Sequence, residues 1–165
     1  ECTACPVAGY CSARARGETS RFPEIAPRPK TVAVEDIAVL VRRGADILLT
    51  QRPDGGHWAG LWELPRVRRI DGETLAAAAL RAPLEVCGVA AGDAQPFGAL
   101  RHSVTHYRIR LHGFAATYTS GEPAAIACAD ARWAPLADID SYAVSSPQRR
   151  LLELARDDAR EPRLI

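Results

Sequence analysis

An α/β layered domain with a mixed sheet is the fold class this sequence predicts, and three observations predict it. Apolar runs of strand length alternate with glycine- and proline-bearing turns, and only two stretches favour helix. With 47% of its 165 residues hydrophobic, the chain has material for one well-formed core. No internal repeat is detectable.

The elements follow in order. Residues 1–16 are rich in cysteine and arginine, and residues 17–33, with Pro23, Pro27 and Pro29, read as a linker before a domain at 34–165. Ile37–Val41 and Ile47–Leu49 are short strands around Arg42, Arg43 and Gly44, apolar enough to be buried on both faces. Asp54-Gly55-Gly56 makes a turn, and His57–Val67, carrying Trp58 and Trp62 as core or pocket-wall aromatics, is expected to be extended with a tight bend. Asp71-Gly72 offers a cap for a helix over Glu73–Leu80, which Pro83 should break or kink. Phe97–Phe114 predicts strand, polar loop and strand. Tyr107, Ile109 and Leu111 alternate with Arg108, Arg110 and His112, giving one apolar and one basic face; the arginines suit either phosphate contact or solvent. After a turn at Gly121–Pro123, Ala131–Leu136 supplies a last strand, and Ser146-Pro147 caps a helix bearing Leu151, Leu152 and Ala155.

Lys and Arg number 21 against 20 Asp and Glu, a net charge of +1, so any nucleic-acid contact must come from local placement. No stretch approaches the roughly 20 apolar residues of a bilayer span, which leads us to expect a soluble, cytoplasmic monomer without a membrane partner. The chain holds no methionine and opens on Glu1, so an upstream segment is expected.

Three of the five cysteines, Cys2, Cys5 and Cys11, crowd into the first eleven residues, a pattern for metal or cluster ligation rather than paired disulfides. Zinc or a 4Fe-4S cluster takes four ligands, so a fourth cysteine lies upstream of Glu1, or Cys87 or Cys128 folds back. Unliganded thiols in a frayed end are the alternative. The Cys-x2-Cys-x5-Cys spacing resembles the last three ligands of the iron-sulfur loop of endonuclease III and MutY-type adenine glycosylases. That resemblance implies a structural 4Fe-4S cluster in the full-length protein and a phosphate-contacting role for Arg14 and Arg16.

A second pattern resembles the Nudix box, Gly-x5-Glu-x7-Arg-Glu-U-x-Glu-Glu-x-Gly-U, where U is a bulky aliphatic residue. Glu73 and Arg81 have the required separation, which puts Val67 at the first glycine, Ala82 at a glutamate and Pro83 at the aliphatic position. Glu85 and Gly88 match, Val86 replaces a glutamate, and Val89 closes the pattern. The resemblance implies a Nudix-like α/β/α sandwich. Magnesium needs several oxygen ligands, and one carboxylate on this helix is too few, so no Mg²⁺ is expected. An active Nudix hydrolase acting with Mg²⁺ on a nucleoside-diphosphate-linked substrate is the runner-up, if Glu63 and Glu73 rebuild the site.

Leu48–Pro53 and Gly60–Pro65 resemble the opening of the MutY-type C-terminal domain, and Leu100–Tyr107 resembles its Leu-x-His-x-Phe-Ser-His-x segment. In that family the Phe-Ser-His loop approaches 8-oxoguanine opposite the target adenine. By that resemblance His102 matches the first histidine, and Val104, Thr105 and His106 stand for the loop. Thr105 keeps a hydroxyl, whereas Val104 departs from the phenylalanine that would wedge beside a base. Strand-end histidines bonded to backbone are the alternative for His102 and His106. The implied function is the lesion-recognition part of an adenine DNA glycosylase in base excision repair. Its partner is duplex DNA bearing 8-oxoguanine opposite adenine, and its catalytic residues lie in an upstream domain. A non-catalytic nucleotide- or protein-binding module is a further alternative.

Overall fold

A computed structural model describes residues 2–24 and 30–158. Pro27 and Pro29 of the expected linker lie outside the described residues. The chain divides into two compact units, Glu1–Lys30 and Thr31–Ile165. In the first, short turns of 3-10 helix flank α1 (Ser12–Ala15).

The second unit is built on a seven-stranded sheet: β1 (Val32–Arg43), β2 (Asp46–Gln51), β3 (Trp62–Glu63), β4 (Arg66–Arg68), β5 (Ala90–Val104), β6 (Tyr107–Ser120) and β7 (Asp130–Pro135). The main order is β3-β2-β1-β6-β5, with β4 paired to β1 and β7 to β2. β1 and β6 run parallel and the other pairs antiparallel, so the sheet is mixed as expected. Ile37–Val41 is fully buried because both faces are covered. Helix α2 (Leu75–Cys87) lays Ala78, Ala79, Ala82 and Val86 on Ile37, Val39, Val41 and Phe114. Helix α3 (Ser146–Asp158) lays Leu151, Leu152 and Ala155 on the other face, against Ala38, Leu40 and Leu111. Small residues on α2 let it sit close to the sheet, and Gly113 does the same for β6. A Cβ on Gly113 would meet Phe97 Cζ at 2.5 Å and Leu151 Cδ1 at 2.8 Å.

Several expectations are corrected. The cap of α2 is Thr74, whose Oγ1 accepts the Ala77 N–H at 3.1 Å, because Asp71-Gly72 is spent on a turn with Gly72 at φ 81°. The helix runs through Pro83 to a left-handed Gly88, φ 76°. Packing of its Ala/Val face outweighs one missing donor, and the proline sits only one turn from the end. The turn at Asp54-Gly55-Gly56 forms as expected and continues through residues 57–60 in place of an extended segment; Gly55 and Gly60 adopt positive φ, leaving only β3 and β4 as short strands. β5 begins at Ala90, well before Phe97. Gly92, Asp93 and Pro96 hide it from a periodicity reading because the strand carries bulges there. His112 is buried, so the basic face of β6 consists of Arg108 and Arg110 alone. Ser145 provides the carbonyl that accepts the Arg149 N–H at 2.9 Å, which places Ser146-Pro147 inside the first turn of α3.

Candidate functional site

Two regions of the second unit collect the residues that sequence singles out. The first is a cleft of about 400 Å³ between β2, β3, β4 and the C-terminal half of α2. Arg81 organises its rim: Nε donates to Glu73 Oε1 at 2.8 Å, Nη2 to Glu73 Oε2 at 2.9 Å, and Nη1 to Glu85 Oε2 at 2.5 Å. These bonds, and the Ile70 N–H bonded to the same carboxylate, hold the Glu73 carboxyl down at about 2. Glu63 accepts both of its bonds from Arg52 Nη1, at 3.0 and 3.1 Å, and faces Arg66 Nε at 3.5 Å. Arg66 and Arg68 also approach the buried Asp36 at 3.4 and 3.5 Å. The cleft lining thus holds Arg52, Arg66, Arg68 and Arg81 against Glu63 and Glu85, an excess of positive charge unsuited to gathering a divalent cation. Among the described residues no group of three or more His, Cys, Asp or Glu side chains could hold a metal.

The second region is the hairpin between β5 and β6. Val104 pairs with Tyr107, so the polar loop is only Thr105 and His106. Thr105 adopts φ 51°, uncommon for a β-branched residue. Its hydroxyl donates to the Val104 carbonyl at 2.7 Å and lies 3.4 Å from His106 Nδ1. The His106 ring packs on Tyr107 with centroids 4.2 Å apart, and the Arg68 guanidinium stands 5.3 Å from the Tyr107 centroid. His102 lies one strand face away from the tip. Both its ring nitrogens are shielded from solvent without a hydrogen-bond partner, and its pKa is lowered, first by desolvation and then by Arg66. It tilts against Trp58, 6.2 Å between centroids, and Trp58 itself sits at φ 63°. Val104 is half-buried and Thr105 exposed.

In the N-terminal unit, Cys2, Cys5 and Cys11 are free and partly or fully exposed. They do not converge as a metal site, so these donors alone do not fit a four-ligand cluster. Arg14 is exposed on α1, and Arg16 pairs with Glu18 at 3.3 Å.

A family model described as the NUDIX domain matches residues 37–154. The chain belongs to this family. The human adenine DNA glycosylase is 27% identical over 139 residues, covering 83% of this chain and 25% of its own length. The chain therefore spans about a quarter of the curated relatives it matches. Among solved structures, the E. coli ORF135 protein superposes with a TM-score of 0.70 at 25% identity, covering 81% of this chain and 96% of that one. The C-terminal domain of mouse MUTYH, solved in complex with human PCNA, gives a TM-score of 0.59 at 25% identity and covers 78% of this chain and 91% of that one.

Within the Nudix frame, Glu73 and Arg81 are bonded to each other, and Gly88 terminates the helix. Ala82 and Val86, aligned with glutamates of the box, are buried on the core side of α2. Glu63 and Glu73, the carboxylates that would have to rebuild a metal site, are both engaged by arginine. Sequence reasoning missed the Arg68–Tyr107–His106 stack and the Arg52–Glu63 pair. The stack joins residues far apart in the chain, which no local pattern announces.

Proposed function

We propose that this Nudix domain is the lesion-recognition part of an adenine DNA glycosylase, contacting 8-oxoguanine opposite adenine in duplex DNA during base excision repair. The observation that carries the reading is the hairpin tip: the segment resembling the glycosylase loop, Leu100–Tyr107, ends in a two-residue turn of an exposed Thr105 and a half-buried His106. The Thr105 hydroxyl bonds only within the tip, to Val104, and rotation frees it to donate to or accept from the altered edge of the purine. Tyr107, which has Arg68 over its ring, packs on the His106 ring and supplies aromatic bulk that Val104 lacks. Homology to adenine DNA glycosylase supports the reading.

Base removal in this scheme belongs to a part of the enzyme outside this sequence. Cys2, Cys5 and Cys11, which do not converge by themselves, would draw together around a 4Fe-4S cluster only with a fourth donor from outside this sequence, and Arg14 and Arg16 would then approach DNA phosphates. Iron and sulfide analysis of a longer chain carrying that donor, with and without Cys5→Ala, tests the ligand set.

The lesion reading is tested with the 165-residue chain and fluorescently labelled duplexes. Tighter binding to 8-oxoguanine·adenine than to guanine·adenine is expected, with Thr105→Val removing about 1–3 kcal/mol of that preference, the worth of a good base contact. Equal affinity for the two duplexes sinks the assignment. Turnover of a nucleoside diphosphate-linked substrate with Mg²⁺ would install the hydrolase reading in its place.

A further inference from the structure

We infer that the open end of the sheet beside the hairpin tip is a second, sequence-independent contact surface, on which Arg101, Arg108 and Arg110 hold phosphates of the DNA backbone. The inference rests on the proposed DNA function but on different residues. Arg101 lies directly opposite Arg110 in the β5–β6 register, and Ser103 opposite Arg108, so all four side chains leave the same sheet face. Like charges placed directly across a strand pair are destabilising, and the acid beside Arg110 on its other flank, its β1 register partner Glu35, is bonded to Arg69 and His112 instead. Among the described residues none of the three arginines has a carboxylate within ion-pair distance, and all three are exposed.

Two acids, Glu35 and Asp71, line the same concavity against five arginines, Arg68, Arg69, Arg101, Arg108 and Arg110, so its balance remains positive. Glu35 is turned to Arg69, at 2.7 Å, and to His112, at 3.2 Å, and Asp71 makes no ion pair. The concavity, about 780 Å³, is open to solvent and lined by residues of β1, β5 and β6. Each guanidinium is a planar fork of donors suited to phosphate oxygens, and Ser103 adds a hydroxyl. The strands that carry the row are the strands that end in Thr105 and His106. At about 3.4 Å per residue, Arg108 lies roughly 7 Å and Arg101 and Arg110 roughly 14 Å behind the tip. A base touched by the tip would therefore place its own flanking phosphates over the row. The chain as a whole carries only +1, so attraction of a polyanion to this unit depends on local fields such as this one.

The test uses the 165-residue chain and anisotropy titrations at several salt concentrations, on an undamaged duplex and on one carrying 8-oxoguanine·adenine. Each phosphate contact contributes about 0.9 to the slope of log affinity against log salt, so the Arg101→Gln/Arg108→Gln/Arg110→Gln variant should lose about 2.7 from that slope. Its deficit relative to wild type should shrink roughly 40-fold between 50 and 200 mM salt, equally for both duplexes. The matching triple lysine variant should keep the slope. Arg101→Gln alone should raise the thermal midpoint at low salt, because it removes a repulsion. An unchanged slope in the triple glutamine variant overturns the inference, as does a nucleoside diphosphate displacing DNA from wild type and from that variant alike. If wild type shows no lesion preference while the variant still loses its salt slope, the lesion reading fails and the phosphate surface stands. Thr105→Val, in contrast, should alter the lesion preference and leave the slope alone.

Discussion

At the scale of single residues, the Glu73–Arg81 pair is the fixed point of α2. It ties the loop before the helix to its middle, and the carboxyl is depressed to about 2 by the arginine bonds first and the Ile70 N–H second. A depressed acid stabilises the fold only while it is ionised. The contribution is complete above the ordinary carboxyl value of 4.5 and disappears as pH falls toward 2. Urea midpoints measured from pH 7 downward should therefore separate wild type from Glu73→Gln at neutral pH and converge between pH 4.5 and 2. Parallel curves would show the pair to be energetically idle. The spacing of the two residues aligned them with the Nudix box, but their bond to each other was not legible in it, because Glu73 precedes the helix and reads as a charge at its start. Nor was the state of His102, because its unpartnered nitrogens depend on Trp58 and Arg66, which arrive from another loop and another strand.

At the scale of elements, period-two alternation found β6 and apolar runs found the cores of β1 and β2, because those strands are regular and flanked by turns. It failed on β5, where bulges break the period, and on α2, where a proline reads locally as a stop although the buried alanine face continues past it. The hairpin register was within reach. Once the loop is taken as two residues, Val104–Tyr107 pairing places Arg101 against Arg110 by counting alone. What counting cannot supply is how closely elements approach. Gly113, Phe97 and Leu151 interlock where β5, β6 and α3 meet, and Gly113→Ala would drive a methyl into both side chains. Overpacking of this kind costs about 1–3 kcal/mol, readable as a lower urea midpoint, with Phe97→Leu in the same chain restoring part of the loss. A midpoint unchanged by Gly113→Ala would mean that the three elements give way easily.

At the scale of the molecule, the Nudix sandwich survives with its metal-binding positions turned over to other uses. Ala82 and Val86 serve the core, and Glu85 serves Arg81. A scaffold of this rigidity is suited to holding a long hairpin still. Sequence disclosed this exchange through the missing acids of α2. It did not disclose where the chain enters the sheet. The Val32 N–H donates to the His106 carbonyl at 2.9 Å, and Val32 pairs with Tyr107. The first residue of β1 and the hairpin tip therefore share one hydrogen bond. Val32→Pro deletes the donor at a strand start where proline is tolerated, so we expect faster amide exchange at 105–107 with little change in the global melting temperature. Unaltered exchange at those amides would separate the two. With that bond in place, the corner of the sheet nearest the incoming polypeptide is also its proposed contact point. A pull on the backbone at Thr31 would load the turn bearing Thr105 before any other part of this unit.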